Sequence, residues 1–451
     1  MSGEASARDV LRDRSAVALL VAWFSSVMGT IALTTALGKL VYDQTGRELD
    51  LGLIGLAEFI PAAMLVVLTG HVADRFDRRR IVALGLVGEV ACALGIAALA
   101  AERPSSLAPY LALAFAFGCA RAFVTPAARA LPPDVVGVVV LPRYVAINSV
   151  TFQAAIIVGP VLAGFLYAAT PSAPFVAAAV LAATGAATVG LVRTPFAAAR
   201  QPHPERASLH EALEGLHVIR RTPILLGAIS LDLFAVLFGG AVALLPVIAE
   251  ERLGVGAVGL GWLRAATGIG AALMALGLAF HPIRRRIGRT LLVAVAVFGV
   301  GTIVLGVTTS FAVAFLALMV LSAADAISVF IRATIVPLVT KGESRGRVLA
   351  VENVFIGASN ELGAFESGVA GQFLGVTGAV VLGGAATIAV SASWWFLFPA
   401  LRQVDRFSEL VEQEDLVARP VQPPAAGAVS PRAPGTSTPS SPAAADTPTT
   451  G

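Results

Sequence analysis

Charged side chains are scarce in this sequence of 451 residues, where Asp, Glu, Lys and Arg together make up 14%. A soluble domain of this length carries about a quarter charged residues. Hydrophobic residues reach 57% and the mean hydropathy is +0.82, so the composition excludes an ordinary soluble protein. The formal net charge is only +3 and no basic, aromatic-rich patch occurs, which excludes a nucleic-acid-binding surface.

Cysteine and the common signatures of enzymes are scarce as well. The two cysteines, Cys92 and Cys119, lie in apolar runs, so there is no disulfide framework and no spacing of metal ligands. Neither a phosphate-binding glycine loop nor an H-E-x-x-H motif is present. We therefore expect no cofactor, no metal and no enzymatic activity, and no ATP-driven step within this chain.

Long apolar runs are what the sequence has in abundance. A helix needs about 20 apolar residues to cross the hydrocarbon core of a bilayer. The runs between polar breaks therefore predict an all-α membrane protein with twelve transmembrane helices. Their predicted limits are 15–40, 51–70, 81–101, 108–131, 143–168, 173–194, 223–249, 256–280, 290–308, 311–339, 348–372 and 375–399.

Arginine and lysine set the expected orientation in the membrane. They cluster in alternate loops, within 75–80, 129–143, 206–221, 284–289 and 341–347. The intervening loops hold little beyond Arg47, Arg103 and Arg252. By the positive-inside rule, both termini are expected in the cytoplasm and the protein in the cell membrane as a multi-pass chain.

The sequence also contains an internal repeat. Gly52 and Gly55 recur 204 residues later as Gly256 and Gly259, and the same offset carries Arg143 to Gly164 onto Arg347 to Gly368. This predicts two related six-helix halves, 1–194 and 223–405. Between them, 195–222 is expected to be a cytoplasmic linker with an amphipathic helix. Residues 406–451 are expected to form a cytoplasmic tail whose distal part, rich in Pro, Ala, Ser and Thr, is disordered.

The turn after the second predicted helix carries the clearest motif. Its residues Gly70, Asp74, Arg75, Arg78 and Arg79 resemble the G-x-x-x-D-R-x-G-R-[KR] loop motif of the major facilitator superfamily. The resemblance implies a charge clamp that closes in one conformation and breaks in the other. Asp77 departs from it, since the family usually has glycine there. A plain positively charged cytoplasmic loop is the alternative interpretation.

Other segments narrow the resemblance. Gly159, Pro160 and Gly164 resemble the G-P-x-x-x-G element of exporters in this superfamily, with ordinary helix packing as the alternative. Residues 230–246, 259–268 and 345–368 resemble the branch of the enterobactin exporter and the macrolide efflux proteins. This implies a monomer that works by alternating access and secretes a small molecule, with siderophores and antibiotics as the substrate classes.

Charges inside the predicted helices are the residue-level clues, because each costs about 2.5–3.5 kcal/mol to insert and needs a partner, water or a function. The candidates are Glu58, Glu89, Arg121, Asp232, Arg264, Asp325, Arg332, Glu361 and Glu366. We expect Asp232 or Asp325 to carry protons, with an edge for Asp232. Arg121 is expected as the counter-charge or as a binding group for an anionic substrate.

Fixed ion pairs that hold helices together are the competing interpretation of these charges. It applies most strongly to Glu58 with Arg264, and to Arg332, whose long side chain can reach the cytoplasmic side. For Glu361 and Glu366 both interpretations stay open.

The sequence as a whole predicts a proton-driven exporter of a siderophore-like or hydrophobic molecule. Its expected partners are the small-molecule substrate, protons and the lipid bilayer. An uptake symporter of the same fold and a non-transporting membrane sensor or scaffold remain as alternatives.

Overall fold

The computed structural model describes residues 7–196, 209–340 and 342–410, and within these ranges the chain is helical with no β-strand. The prediction of an all-α protein is therefore confirmed. A short helix comes first, and six longer ones form the first bundle. They are α1 (Ala7–Arg12), α2 (Arg14–Thr45), α3 (Glu48–Arg75), α4 (Arg78–Glu102), α5 (Ala108–Ala130), α6 (Pro132–Ala169) and α7 (Ala173–Leu191).

The second bundle follows an amphipathic connecting helix. Its elements are α8 (Leu209–Arg221), α9 (Pro223–Phe238), a 3₁₀ turn (Gly240–Leu244), α10 (Leu245–Val247), a π turn (Ile248–Arg252), α11 (Gly256–Phe280), α12 (Ile287–Val307), α13 (Phe311–Val339), α14 (Gly342–Leu397) and α15 (Pro399–Gln403).

Local sequence signals set where the helices begin and end. Asp13 caps the first long helix α2 by accepting a hydrogen bond from the Ser15 amide at 2.8 Å. The same helix ends at Gly46, which has a left-handed backbone and donates to the Tyr42 carbonyl at 2.8 Å. Exposed apolar residues such as Met64 and Phe373, 75% and 82% exposed, are what a lipid-facing surface requires.

Ten helices in the described part of the chain are long and apolar enough to cross a membrane. Two features bear on the predicted count of twelve. Helix α3 adds a further helix of 28 residues to the first bundle. Helix α14 runs for 56 residues but breaks at Gly375, where φ 69° and ψ 160° belong to a region that essentially only glycine adopts. The count of twelve stays a prediction that these two features support.

The two bundles contact each other chiefly through two helix pairs, α3 with α14 and α6 with α11. Because the proposed repeat relates α3 to α11 and α6 to the first part of α14, the two contacts are equivalent by pseudo-symmetry. The other principal contacts lie within one bundle, as between α2 and α7 or between α12 and α14.

The connecting helix α8 lies against the beginning of α14. Glu214 forms an ion pair with Arg347 at 2.7 Å, and Ile219 is fully buried beneath the helix. Residues 1–6, 197–208, 341 and 411–451 lie outside the described residues, and they include the distal part of the tail that was expected to be disordered.

Candidate functional site

A cavity of about 480 Å³ lies between the two bundles. Both bundles contribute ionisable side chains to its wall, along with polar groups such as Thr34, Ser322 and Asn360. The ionisable residues are Glu58 on α3, Arg121 on α5, Arg264 on α11, Asp325 on α13 and Glu361 on α14. Five of the nine charges predicted from the sequence are thus brought together at one place, which we call the central cavity.

A second cavity of about 480 Å³ continues the central cavity towards one end of the molecule. The two share Glu58, Arg121 and Glu361, and the second extends to Gly70 and Arg129. These residues lie near the turn at 75–80, so we call this end the arginine end. The central cavity therefore has a path towards the arginine end.

The opposite end, which we call the Glu250 end, is bridged by polar contacts between the bundles. Lys39 of α2 forms ion pairs with Asp43 on its own helix and with Glu250 across the interface, the latter at 3.1 Å. The Tyr42 hydroxyl donates to Glu251 of the second bundle. Tyr167 donates to Asp43 at 2.7 Å. The two bundles are thus held together at this end, whereas the second cavity extends towards the other.

Sequence reasoning missed this bridge. Lys39 lies at the end of the first predicted transmembrane helix, and Glu250 just past the end of the seventh, so both counted as boundary residues. The available signal was Lys39 itself, because a lysine within an apolar run needs a partner. It is only 6% exposed in the structure.

The charges of the central cavity are close but not tightly paired. Among the described residues, none of the five forms an ion pair within 4 Å, so the predicted Glu58–Arg264 pair is not present. Arg121 is the principal opposing charge for Glu58, Glu89 and Glu361. Arg264 interacts with Glu58 and donates weakly to Thr35 at 3.4 Å. Open charges of this kind are available to a ligand.

Asp232 has a different environment from the one expected. It is 5% exposed and forms an ion pair of 2.7 Å with Arg332, which in turn lies 3.8 Å from Glu352. The interpretation of Arg332 as part of a fixed ion pair agrees with this contact, and its guanidinium is buried in the second bundle instead of reaching water, since the residue is 4% exposed. Arg121 is therefore not the counter-charge of Asp232 in this structure.

Asp325 lies between these two groups of charges. It lines the central cavity and also a small void that contains Asp232 and Ser328. The Ser328 hydroxyl is buried and has no hydrogen-bond partner in the described part of the protein. Of the two carboxylates expected to carry protons, Asp325 is the one in contact with the central cavity.

The cavity wall includes a break in the seventh predicted helix. That helix was expected to run unbroken over 223–249, but α9 ends at Phe238 and a 3₁₀ turn begins at Gly240. Gly239 and Gly240 line the cavity beside Phe298. The consecutive glycines were a usable signal, because helix propensity is lowest at glycine among residues other than proline.

The loop motif forms contacts within the first bundle. Arg78 is 7% exposed and lies 3.1 Å from Asp134, and it donates to the Ala130 carbonyl at 2.7 Å. Asp77 caps α4 and accepts from Arg79 at 2.8 Å, which holds the pKa of Asp77 below its ordinary value. Its backbone φ of −61° needs no glycine, so the aspartate is accommodated there without backbone strain.

Two further members of the loop motif bear on the expected clamp. The side chain of Asp74 lies outside what the structure describes, although its backbone belongs to α3. Arg75 is exposed in the last turn of the same helix. A clamp between the halves stays a prediction.

The exporter-type element lies at the interface between α6 and α11. A methyl group added at Gly164 would lie 2.5 Å from the Ala257 carbonyl, and one added at Gly261 would lie 2.5 Å from the Pro160 carbonyl. Gly159 faces α2 instead, near the Met28 carbonyl. Close approach of the two backbones therefore requires small residues here.

The remaining predicted charges lie outside the central cavity. Glu89 is 3% exposed on α4, behind the cavity wall, and Glu366 is half-buried on α14 next to Ser367. No cluster of metal-binding side chains occurs among the residues that the structure describes.

Comparison with known proteins bears on the family. Residues 18–322, more than half of the chain, match the family model described as Major Facilitator Superfamily. The uncharacterised MFS-type transporter YfiS of Bacillus subtilis (strain 168) is 25% identical over 291 residues, which cover 63% of this chain and 66% of YfiS. The matched part thus spans just under two thirds of that relative.

Solved structures share the fold at low sequence identity. The nucleoside transporter NupG, as its D323A mutant, has a TM-score of 0.69 at 10% identity and covers 85% of this chain and 99% of its own. A bacterial homologue of the human lysosomal transporter Spinster, inward-facing and unoccupied, has a TM-score of 0.65 at 13% identity and covers 90% and 98%. These structures show the fold, and the match of the family model over residues 18–322 establishes that the chain is a multi-pass membrane protein of the Major Facilitator Superfamily of transporters.

Proposed function

We propose that this transporter exports a small molecule from the cytoplasm in exchange for protons. The observation that carries the proposal is the central cavity, with Asp325 in its wall and a path towards the arginine end. The positive-inside rule assigns the arginine end to the cytoplasm. The structure is then the conformation that loads its cargo from inside the cell.

Alternating access follows from the way the two ends differ. The ion pair of Lys39 with Glu250 and the hydrogen bond from Tyr42 to Glu251 join the bundles on the outer side. Transport requires these contacts to break while the arginine end closes, so that the cavity faces outward.

Asp325 is the proton carrier in this proposal, in place of Asp232. Asp232 is held by Arg332 at 2.7 Å inside the second bundle, so loss of its charge would leave Arg332 short of a partner. Asp325 has no such ion pair among the described residues and contacts the space in which cargo binds. It can therefore exchange a proton and respond to the cargo.

A proton-coupled uptake symporter is the second candidate, and Arg264 favours it. The Arg264 Nε is buried without a hydrogen-bond partner in the described part of the chain. If an anionic cargo bound this guanidinium, protonation of nearby carboxylates would strengthen its binding, and proton and cargo would move together. Export and uptake thus make opposite predictions for the effect of protons on binding.

Inverted membrane vesicles with an imposed pH gradient, acidic inside, test the proposal. Accumulation of a catecholate siderophore, a macrolide and a cationic dye is followed for the native chain, for Asp325→Asn and for Glu366→Gln. The proposal predicts gradient-dependent accumulation of at least one compound, lost in Asp325→Asn and retained in Glu366→Gln.

Two outcomes of the vesicle assay speak against export. Accumulation that needs the opposite gradient would establish uptake. If no compound accumulates and none dissipates the pH gradient with folded protein present, the non-transporting alternative is favoured.

A further inference from the structure

We propose that the cargo is an apolar organic cation, which displaces protons from the carboxylates of the central cavity. This inference rests on the proposed antiport and adds the chemical class of the substrate. It differs from the siderophore class that the sequence resemblance implies, because catecholate siderophores carry negative charge, and it includes those macrolides that carry a protonated amino sugar.

The first argument is the balance of buried charge. The wall of the central cavity holds three carboxylates, Glu58, Asp325 and Glu361, against two guanidinium groups, Arg121 and Arg264. Outside this wall, Asp232 and Glu352 share Arg332, Glu89 has Arg121 as its opposing charge, and Arg129 lines the second cavity. A buried carboxylate without a cation is costly. The excess must therefore be offset by bound protons or by a bound cation.

The second argument is which of these carboxylates can be reached. Asp232 and Glu352 share Arg332, and Glu89 lies behind the wall. Glu58, Asp325 and Glu361 line the cavity itself and are all partly exposed. They come from three helices of both bundles, so a cation between them would contact both halves of the transporter.

The third argument is the character of the rest of the wall. Apolar side chains surround the charges, and the Phe298 ring supplies an aromatic face of the kind that attracts organic cations. A volume of about 480 Å³ falls in the range of pockets that enclose drug-sized molecules. Apolar surface and excess negative charge together fit a large, weakly hydrated cation better than a small polar one.

Antiport then follows from competition at the same groups. When Asp325 and Glu361 are ionised, the cavity carries excess negative charge and attracts the cation. When they are protonated, Arg121 and Arg264 leave it with a positive charge that repels the cation. Acidification must therefore weaken binding of the cation.

Equilibrium binding to the purified protein in detergent tests the proposal without any gradient. The probes are tetraphenylphosphonium and tetraphenylborate, which have nearly the same shape and opposite charge, and the uncharged triphenylphosphine oxide. We expect the phosphonium to bind at least about tenfold more tightly than the other two at neutral pH, and its affinity to fall at acidic pH.

Two matched variants on α14 distinguish binding by a cavity carboxylate from a general effect of removing one negative charge. Glu361→Gln removes a cavity carboxylate and is expected to weaken phosphonium binding about tenfold. Glu366→Gln removes a carboxylate five residues away that does not line the cavity, and is expected to leave binding unchanged. Thermal unfolding of both variants checks that they are folded.

The proposal is overturned if the phosphonium does not bind up to about 1 mM, or binds no more tightly than the borate. It is also overturned if the two glutamine variants weaken binding equally. Failure of the antiport itself looks different: the phosphonium would bind with the expected preference but would not accumulate in vesicles with a pH gradient. Conversely, gradient-driven export of an anionic compound without phosphonium binding would contradict the substrate class and keep the antiport.

Discussion

At the scale of single residues, two aspartates in the second bundle show how surroundings separate similar side chains. Asp232 and Asp325 border the same small void. Asp232 is held in an ion pair with Arg332, whereas Asp325 also faces the central cavity. A carboxylate with a fixed partner contributes structure, and one that faces an accessible cavity can take up and release protons.

Replacing these two aspartates is therefore expected to have opposite main effects. Asp232→Asn leaves the buried Arg332 without its ion-pair partner at 2.7 Å, and breaking a buried pair costs about 3–5 kcal/mol. Asp325→Asn removes a charge without a close partner, so stability should change little or rise. Melting temperatures in detergent check this. A larger fall in melting temperature for Asp325→Asn than for Asp232→Asn would contradict the assignment of Asp232 as the structural carboxylate.

Asp77 gives a prediction on pH. Its hydrogen bonds from Arg79 lower its pKa in the folded protein, so the stabilisation is complete above the unfolded value of about 3.9 and is lost as the pH falls through the lower folded value. The neutral variant Asp77→Asn should melt below the native protein at pH 7, and the difference should shrink below about pH 4. A difference that stays constant with pH would refute this origin.

The sequence predicted which charges are buried, but not their partners. Five of the nine predicted charges line the central cavity, because a charge inside an apolar run must face the interior of the bundle. The pairing of Asp232 with Arg332 depends on how α9 and α13 are rotated against each other, which periodicity in a nearly uniform apolar run does not fix.

At the scale of helices, the contact between α6 and α11 joins the two bundles near the Glu250 end. A methyl group at Gly164 would collide with the α11 backbone, whereas one at Gly190 meets nothing within 4 Å. The resemblance to an exporter element identified Gly164 from the sequence. The structure shows that the Ala257 carbonyl of α11 lies close enough to require a small residue at this position.

Gly164→Ala is accordingly expected to push α6 and α11 apart and to destabilise the closed Glu250 end. Overpacking of a close contact costs about 1–3 kcal/mol. The test uses a chain that lacks Cys92 and Cys119 and carries Thr34→Cys in the central cavity. An impermeant maleimide added from the outer side should label this cysteine faster in Gly164→Ala than with glycine at this position. Gly190→Ala is the control. Equal labelling rates in Gly164→Ala and Gly190→Ala would argue that the contact between α6 and α11 does not keep the Glu250 end closed.

Helix breaks are the elements that apolar patterning predicts least well. The run 223–249 was expected to be one helix, yet the structure breaks it at Gly239 beside the central cavity. The boundary between the last two predicted helices was placed at 372–375, and the structure has its helix break at Gly375. The length of an apolar run predicts which segments are helical, whereas the break at Gly239 depends on the packing of neighbouring helices.

At the scale of the whole molecule, the asymmetry between its two ends defines the conformation. Lys39 joins the bundles through Glu250, while the cavity extends to Gly70 and Arg129 at the other end. Fold and family could be predicted from apolar length, the repeat and the loop motif. The contacts at the Glu250 end could not, because they belong to one of the at least two conformations that the proposed alternating access requires.

Lys39→Met is expected to shift the balance towards the outward-open state. Since Glu250 is half exposed, its ion pair is worth about 1 kcal/mol, or about a fivefold change in population. Outer-side labelling of Thr34→Cys should therefore rise about fivefold. Lys39→Arg keeps the charge and should restore the native rate. A rate unchanged in Lys39→Met would show that this ion pair does not hold the outer end closed.

Proton movement in proteoliposomes tests the central claim most directly, which is that cargo leaves in exchange for a proton carried by Asp325. A compound that accumulates in the vesicle assay is supplied on one side only, and a pH-sensitive dye inside reports the response. We predict proton movement against the direction of cargo in the native protein and in Glu366→Gln, and none in Asp325→Asn. Proton movement in the direction of the cargo, or undiminished exchange in Asp325→Asn, would contradict the account.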